Sequence, residues 1–240
     1  MKRLTVALDD IARIQEIFGN DALDPVRYGI LCETYGADGL SVTLTHSARG
    51  IPEKDIRLLK DLRRSYLNLH IPFHAELFKP ALSIAPDMVT FVETPHNQPD
   101  KLLPLSPSVL NETLGEVLPN FQSNNISVAV LISPDINVLK SLSKLEIDYV
   151  ELDCTEYTHA TNTNDELVAL DNLKTAAMGA AKLGLGINCY GGIGYQHLAD
   201  LRQLPHLEDV TIGQSLIQRA FLMGLEKAIQ EARLALGARG

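Results

Sequence analysis

The sequence predicts an α/β fold: a (β/α)8 barrel, also called a TIM barrel, formed as a single domain over residues 1–240. Three observations predict it. Eight short apolar runs rich in β-branched residues recur along the chain. Helical or polar stretches separate them. The runs are apolar almost throughout rather than cleanly alternating, as strands covered on both faces should be. The competing arrangement, a doubly wound open sheet, more often has five or six strands.

The runs are, in order, "RLTVALDD" (3–10), "GLSVTLT" (39–45), "LNLHIPF" (67–73), "MVTFVE" (88–93), "ISVAVLIS" (126–133), "DYVELDC" (148–154), "LGINCY" (185–190) and "DVTIG" (209–213). Between the second and third, "IPEKDIRLLKDLRRSY" opens with Pro52 and acids and closes with basic residues, as a helix dipole favours. After the sixth, "NDELVALDNLKTAAMGAAKLG" places Leu167, Leu170, Leu173 and Ala177 on one stripe and stops at Gly184. The closing segment predicts one helix from about Ser215, with Leu216, Ala220, Phe221, Leu225, Ile229 and Ala232 at helical spacing.

Composition narrows the function classes. The apolar share of 45% is that of a globular chain, and no apolar run approaches membrane-spanning length. A net charge of −9 argues against a nucleic-acid surface. "MKRLTVALDD" reaches an acidic pair too soon for a signal peptide. Cys32, Cys154 and Cys189 have no C-x-x-C spacing, and a reduced cytoplasm is the expected compartment.

In a barrel the chemistry sits at the C-terminal strand ends and in the loops that follow. Two of these loops are long, "TPHNQPDKLLPLSPS" (94–108) and "TEYTHATNTND" (155–165). Each is a lid or binding loop, or plain surface. Gly191, Gly192, Ile193 and Gly194 follow strand seven, and Gly213, Gln214 and Ser215 open the helix after strand eight. Neighbouring glycine turns of this kind, with a helix N-terminus, predict a phosphate cradle that needs no basic side chain. Strand alternation turns Asp9, Thr43, Thr45, His70, Glu93, Glu151, Asp153 and Asn188 inward, with Asp10 and His46 at the rims. His70 is the expected general base, and Glu151 with Asp153 forms a carboxylate pair suited to proton transfer. The same pair with His70 could hold a divalent metal; hydrogen-bonded ring polars are the simpler reading, and no metal site is assigned. His74 and Glu76 read as loop surface, Cys154 and Cys189 as buried thiols.

The chain resembles the pyridoxine 5′-phosphate synthase family nearly end to end. The resemblance rests on "DPVRYGILCETYGADGLSVTL", on "DIRLLKDLR" followed by "NLH", on "LGLGINCYGGIGY", and on the tail "IGQSLIQRAFLMGLEKAIQEARLALGARG". It implies a cofactor-free barrel that condenses deoxyxylulose phosphate with aminoacetone phosphate and assembles as a homo-oligomer, an octamer where the family's contacts are kept. The functional positions depart from the family's pattern. Its opening Asn-x-Asp-His and following arginine read here Ala7, Asp9, Asp10 and Gln15, with only the aspartate kept. Its second-strand His-x-Arg and Arg-His become Thr43, Thr45, Arg49 and Gly50, with only the first arginine of that pair kept. His70 replaces a catalytic glutamate, Gly191 (after Tyr190) a catalytic histidine, and Gln214 a further histidine.

The expected function is therefore acid–base chemistry on a small phosphorylated metabolite at a changed active site. Asp9, His70, Glu151 and Asp153 are its catalytic candidates, and Thr43, Thr45, Arg49, Asn188 and Tyr190 its further substrate contacts. The rival readings are a non-catalytic carrier of a B6 phosphate and a structural subunit.

Overall fold

A computed structural model describes residues 2–19, 23–46, 50–95, 97–98, 101–142 and 144–237. Eight parallel strands close a barrel in chain order: β1 (Arg3–Ala7), β2 (Gly39–Thr43), β3 (Tyr66–Pro72), β4 (Met88–Val92), β5 (Ser127–Ile132), β6 (Tyr149–Asp153), β7 (Gly186–Tyr190) and β8 (Leu207–Ile212). The barrel is closed by pairing of β1 with β8 through Arg3–Asp209 to Val6–Ile212. The helices are α1 (Asp9–Phe18), α2 (Pro25–Thr34), α3 (Glu53–Leu62), α4 (Ala75–Ile84), α5 (Pro107–Glu112) and α6 (Leu114–Gln122). They continue with α7 (Ile136–Leu142), α8 (Thr155–Thr158), α9 (Thr163–Lys182), α10 (Tyr195–Leu201), α11 (Gln214–Met223) and α12 (Leu225–Ala235). The closed, all-parallel sheet removes the open-sheet alternative.

The strand runs divide by face. Outward side chains such as Leu4, Val6, Leu40, Val42, Leu69 and Val130 are sealed under the helices. Inward positions carry a polar layer: Thr5, Ser41, Asn68, His70, Thr90, Glu151, Asn188 and Asp209 are all buried. Phe73, Phe78, Phe91 and Phe121 tie β3 and β4 to α4 and α6, with ring centroids 5.3–6.2 Å apart in tilted and edge geometries.

Local chemistry sets the helix starts. Asp24 accepts from the N–H groups of Val26 and Arg27 with Pro25 in the first turn of α2, and Asn162 accepts from Asp165 N–H at the start of α9. Two expectations need correction. The closing segment is two helices, because Gly224, at φ +89°, breaks it between α11 and α12. Phe221, in α11, stands 66% exposed instead of on the buried stripe, which in that helix carries Leu216 and Ile217. Leu167 is likewise exposed; Ala169, Leu170, Leu173, Ala176, Ala177 and Ala180 form the buried face of α9.

Candidate active site

The C-terminal ends of β1, β2, β7 and β8 open on a cavity of about 390 Å³. One wall is the glycine turn after β7 with the start of α11. Ser215 Oγ donates to Ile193 O at 2.7 Å and ties the two segments together. The N–H groups of Gly192 and Ile193 donate to no other atom among the described residues, and those of Gln214 and Ser215 lie in the first turn of α11, where no helix carbonyl can receive them. These N–H groups and the positive end of α11 suit an anion. Gly194 is different: its N–H donates to His197 Nδ1 at 3.0 Å, so it is spent inside the fold.

The opposite wall carries the charges. Asp9 is half-buried at the first turn of α1 and lines the cavity. Its Oδ1 accepts Thr43 N–H at 2.9 Å, and its other oxygen has no partner among the described residues. Burial raises its proton affinity above the usual carboxylate range, against the lowering by the Thr43 bond, His70 and Arg13. Asp10 holds Arg13 Nη1 at 2.8 Å one helical turn on. Thr43, Thr45 and Tyr190 complete this side.

Beneath Tyr190 lies a closed layer. The Tyr190 ring stands 5.0 Å from the His70 ring, and His70 and Glu151 are both fully buried. His70 Nε2 meets Glu151 Oε2 at 2.6 Å, and Nδ1 meets Ser41 Oγ at 2.9 Å. Burial alone would lower His70; attraction and hydrogen bonding to Glu151, with help from Asp9, raise it overall. Asn188 sits in the same layer with Nδ2 3.8 Å from Met88 Sδ, beside Asp209 on β8. Burial pushes the Asp209 carboxyl up to about 7, against the pull of Thr5 and Arg3.

The expected site residues are thus divided. Asp9, Thr43, Thr45, Tyr190, Gly191, Gly192, Ile193, Gly213, Gln214 and Ser215 come together around the cavity. His70, Glu151 and Asn188 lie below it. Asp153 does not join Glu151 in the lumen: its Oδ1 accepts Thr155 N–H at 3.0 Å beside the start of α8, and it lines a separate groove with Asp135 and Glu156. The strand ends there, and the helical turn that follows draws the carboxylate to its own N–H groups. Glu93 also serves the chain, with Oε1 accepting Ser106 N–H at 2.8 Å. His46 pairs with Glu76 at 3.6 Å on the surface, and His74 is exposed there too. Arg49 lies outside the described residues. Cys154 and Cys189 are buried; the neighbouring Cys189 thiol, then burial, pushes the Cys154 thiol up, and Cys154 Sγ donates to Leu152 O at 3.6 Å. Among the described residues no cluster of His, Cys, Asp and Glu is arranged to hold a metal ion, and no helix is long and apolar enough to cross a membrane.

Sequence reasoning missed His159, Arg13, Gln196 and Gln218, which also line the cavity. Arg13 and Gln218 could have been found from helical spacing, one turn on from Asp9–Asp10 and Gln214–Ser215. His159 follows a four-residue helix in a polar loop and carries no periodic signal.

The profile of the family described as "Pyridoxal phosphate biosynthesis protein PdxJ" matches residues 4–238. Relatives named pyridoxine 5′-phosphate synthase include one from Geobacter metallireducens, 32% identical over 231 residues, with 96% of this chain and 97% of that protein covered. Another, from Synechocystis sp., is 33% identical over 240 residues, with 98% of each covered. Among solved structures, N-(5′-phosphoribosyl)anthranilate isomerase from Pyrococcus furiosus is similar with a TM-score of 0.64 at 12% identity, covering 100% of both chains. 3-Hexulose-6-phosphate synthase from Salmonella typhimurium also scores 0.64, at 14% identity, covering 99% of this chain and 100% of that one. At such identities the structural likeness speaks for the barrel fold alone.

Proposed function

This chain belongs to the family of pyridoxal phosphate biosynthesis proteins, and from that premise we propose that it binds a small phosphorylated substrate at the barrel mouth and acts on it by acid–base chemistry. The observation that carries the reading is the shared cavity. Backbone donors from Gly192, Ile193, Gln214 and Ser215 open into the same 390 Å³ as Asp9, whose proton affinity burial raises. The phosphoryl group takes the donors; the reacting carbons lie toward Asp9, Thr43 and Thr45. A carboxyl that keeps its proton closer to neutrality suits proton transfer in both directions. His70 and Glu151, sealed below Tyr190, act as supports for the mouth and not as proton donors to a ligand in it. With histidines and the glutamate of the family pattern replaced, the family's own condensation is expected to run slowly here.

The sealed His70–Glu151 pair favours a second reading, in which the protein binds a B6 phosphate without turning it over. A homo-oligomer in the cytoplasm completes the proposal; exposed Ile17, Phe18, Phe221 and Leu222 support assembly, and the free cysteines a reduced compartment.

The test is a ligand panel on the pure protein, with pyridoxine phosphate, deoxyxylulose phosphate, aminoacetone phosphate, other sugar phosphates and their dephosphorylated forms. A ligand at one hundred times its dissociation constant raises stability by about 2.7 kcal/mol. The reading expects phosphate-dependent shifts and turnover of at least one hit. Binding with no turnover of any hit selects the carrier. Equal response to phosphorylated and dephosphorylated forms overturns both.

A further inference from the structure

We propose that His159 is the titratable ligand of the phosphate cradle, its protonated Nε2 donating to a phosphoryl oxygen held over Gly192. This inference rests on the phosphate reading above and adds to it a side chain that changes charge.

Four observations lead to it. First, His159 lines the same cavity as the cradle. Second, its ring lies directly on the glycine turn: a Cβ at Gly192 would sit 2.5 Å from His159 Cε1 and 3.1 Å from Nδ1. Gly192, at φ +61°, leaves both the space and the turn that the ring needs. Third, the segment bearing His159 is fastened there, because Thr158 Oγ1 donates to Gly191 O at 3.0 Å. Fourth, the contacts of Nδ1 favour one tautomer: Thr158 Oγ1 lies 3.0 Å from it, and with that hydroxyl's single hydrogen given to Gly191 O the oxygen is left to accept. Nδ1 lies 3.2 Å from Thr155 O, a carbonyl that only accepts, so Nδ1 carries its hydrogen toward it. Nε2 is bonded to nothing among the described residues and keeps a lone pair in the neutral ring. A proton taken there, from water or from a phosphate monoanion, creates a charged donor at the cradle.

The neighbouring imidazole cannot do this. His197 is buried, its Nδ1 already accepts Gly194 N–H, and its ring packs edge-on to Tyr157 at 5.1 Å. Burial lowers its proton affinity, with Glu166 and Asp200 opposing and His159 adding to the effect. The remaining charges near His159 are Asp153 and Glu156 on its own segment and Asp9, Asp10 and Arg13 on the far wall, with Asp10 and Arg13 paired to each other. Every other cradle group is a neutral backbone or amide donor. His159 is thereby the side chain of the cradle itself that can take a proton, and Asp9 is the second such group in the cavity, on the far wall.

Sulfate is the probe, since its charge is constant between pH 5 and 9. Calorimetric titration of the wild type is compared with His159→Asn, whose amide nitrogen can keep the bond to Thr155 O, and with His159→Gln; melting temperature confirms that each variant is folded. Wild-type affinity should fall about tenfold between pH 5.5 and 8.5, the difference between a charged and a neutral donor, and both variants should bind weakly and keep only the smaller fall that Asp9 supplies. The His159 ring nitrogens should also shift in the NMR spectrum when sulfate is added at pH 6. A variant that keeps the wild-type slope, or ring nitrogens that ignore sulfate, overturns the role of His159 while leaving the cradle standing. Failure of the wild type to bind sulfate or inorganic phosphate at any pH overturns both.

Discussion

His70 on β3 reaches across the barrel to Glu151 on β6, and Nε2 and Oε2 meet 2.6 Å apart with both side chains fully buried. Ser41 holds the other ring nitrogen and Tyr190 covers the ring. A charge pair so enclosed costs more to break than it contributes while intact, because the abandoned partner has no water to turn to.

Replacing Glu151 with Gln should therefore destabilise the fold by about 3–5 kcal/mol, read from the midpoint of urea unfolding. The pH dependence has a sign. Folding raises the proton affinity of His70, so the native chain keeps that proton to a higher pH than the unfolded chain does. The pair's contribution is full below the ordinary imidazole value of about 6.5 and fades as pH rises through the raised native value. Glu151→Gln should flatten this part of the profile. A variant as stable as the wild type, with the same pH slope, would show that the pair carries neither charge nor load.

Asp209 works in the same sense over a lower pH range. Its carboxyl is pushed up to about 7 by burial, whereas an unfolded aspartate titrates near 4. The native chain holds the extra proton over this range, so the wild type loses stability as pH rises from about 4 to 7, on the order of a few kcal/mol. Asn at 209 can still accept from Thr5 Oγ1 and escapes the loss. The melting temperature of Asp209→Asn relative to wild type should climb between pH 4 and 8; a constant difference would contradict the assignment.

Gly192→Ala tests the cradle. The new Cβ would meet His159 Cε1 at 2.5 Å and Thr158 Oγ1 at 2.6 Å on a backbone at φ +61°. The turn must shift, at about 1–3 kcal/mol of strain, and anion binding should drop at least tenfold. Unchanged binding with normal stability would place the anion elsewhere.

Asp9→Asn separates binding from turnover. An asparagine can still accept Thr43 N–H, so ligand affinity should change by less than about threefold, while kcat falls by about 10²–10⁴, the usual worth of general acid–base catalysis. Parallel loss of affinity and rate would make Asp9 a binding residue alone.

The barrel was legible because eight buried strands leave eight separate apolar runs, and each run overlaps a strand of the structure. The runs overshoot their strands at several C-terminal ends. Leu8, for example, is as apolar as a strand residue but already begins the turn into α1, where it is buried. Alternation found the inward face and said nothing about depth. It placed His70, Glu151 and Asp9 together as inward groups, although two lie below Tyr190 and one above it. Asp153 has the inward parity of Glu151, yet the adjacent N–H of Thr155 claimed its carboxylate. The His159 position depends on a contact between a loop and a glycine turn more than thirty residues further on, and no local pattern encodes such a contact.

The Tyr190 ring divides the molecule into two regions of chemical change that meet at Asp9 and His70. Above it, substitutions at the mouth alter which ligand is recognised; below it, substitutions around Glu151 and Asp209 alter heat and pH tolerance. Asp9 and His70 feel each other's charge and the Tyr190 ring touches His70, so substitutions at these three should couple, while those at Gln214 or Ser215 and at Asp209 should add. Ligand preference can then be remade in successive single steps at mouth positions that leave Gly192 and Asp9 in place.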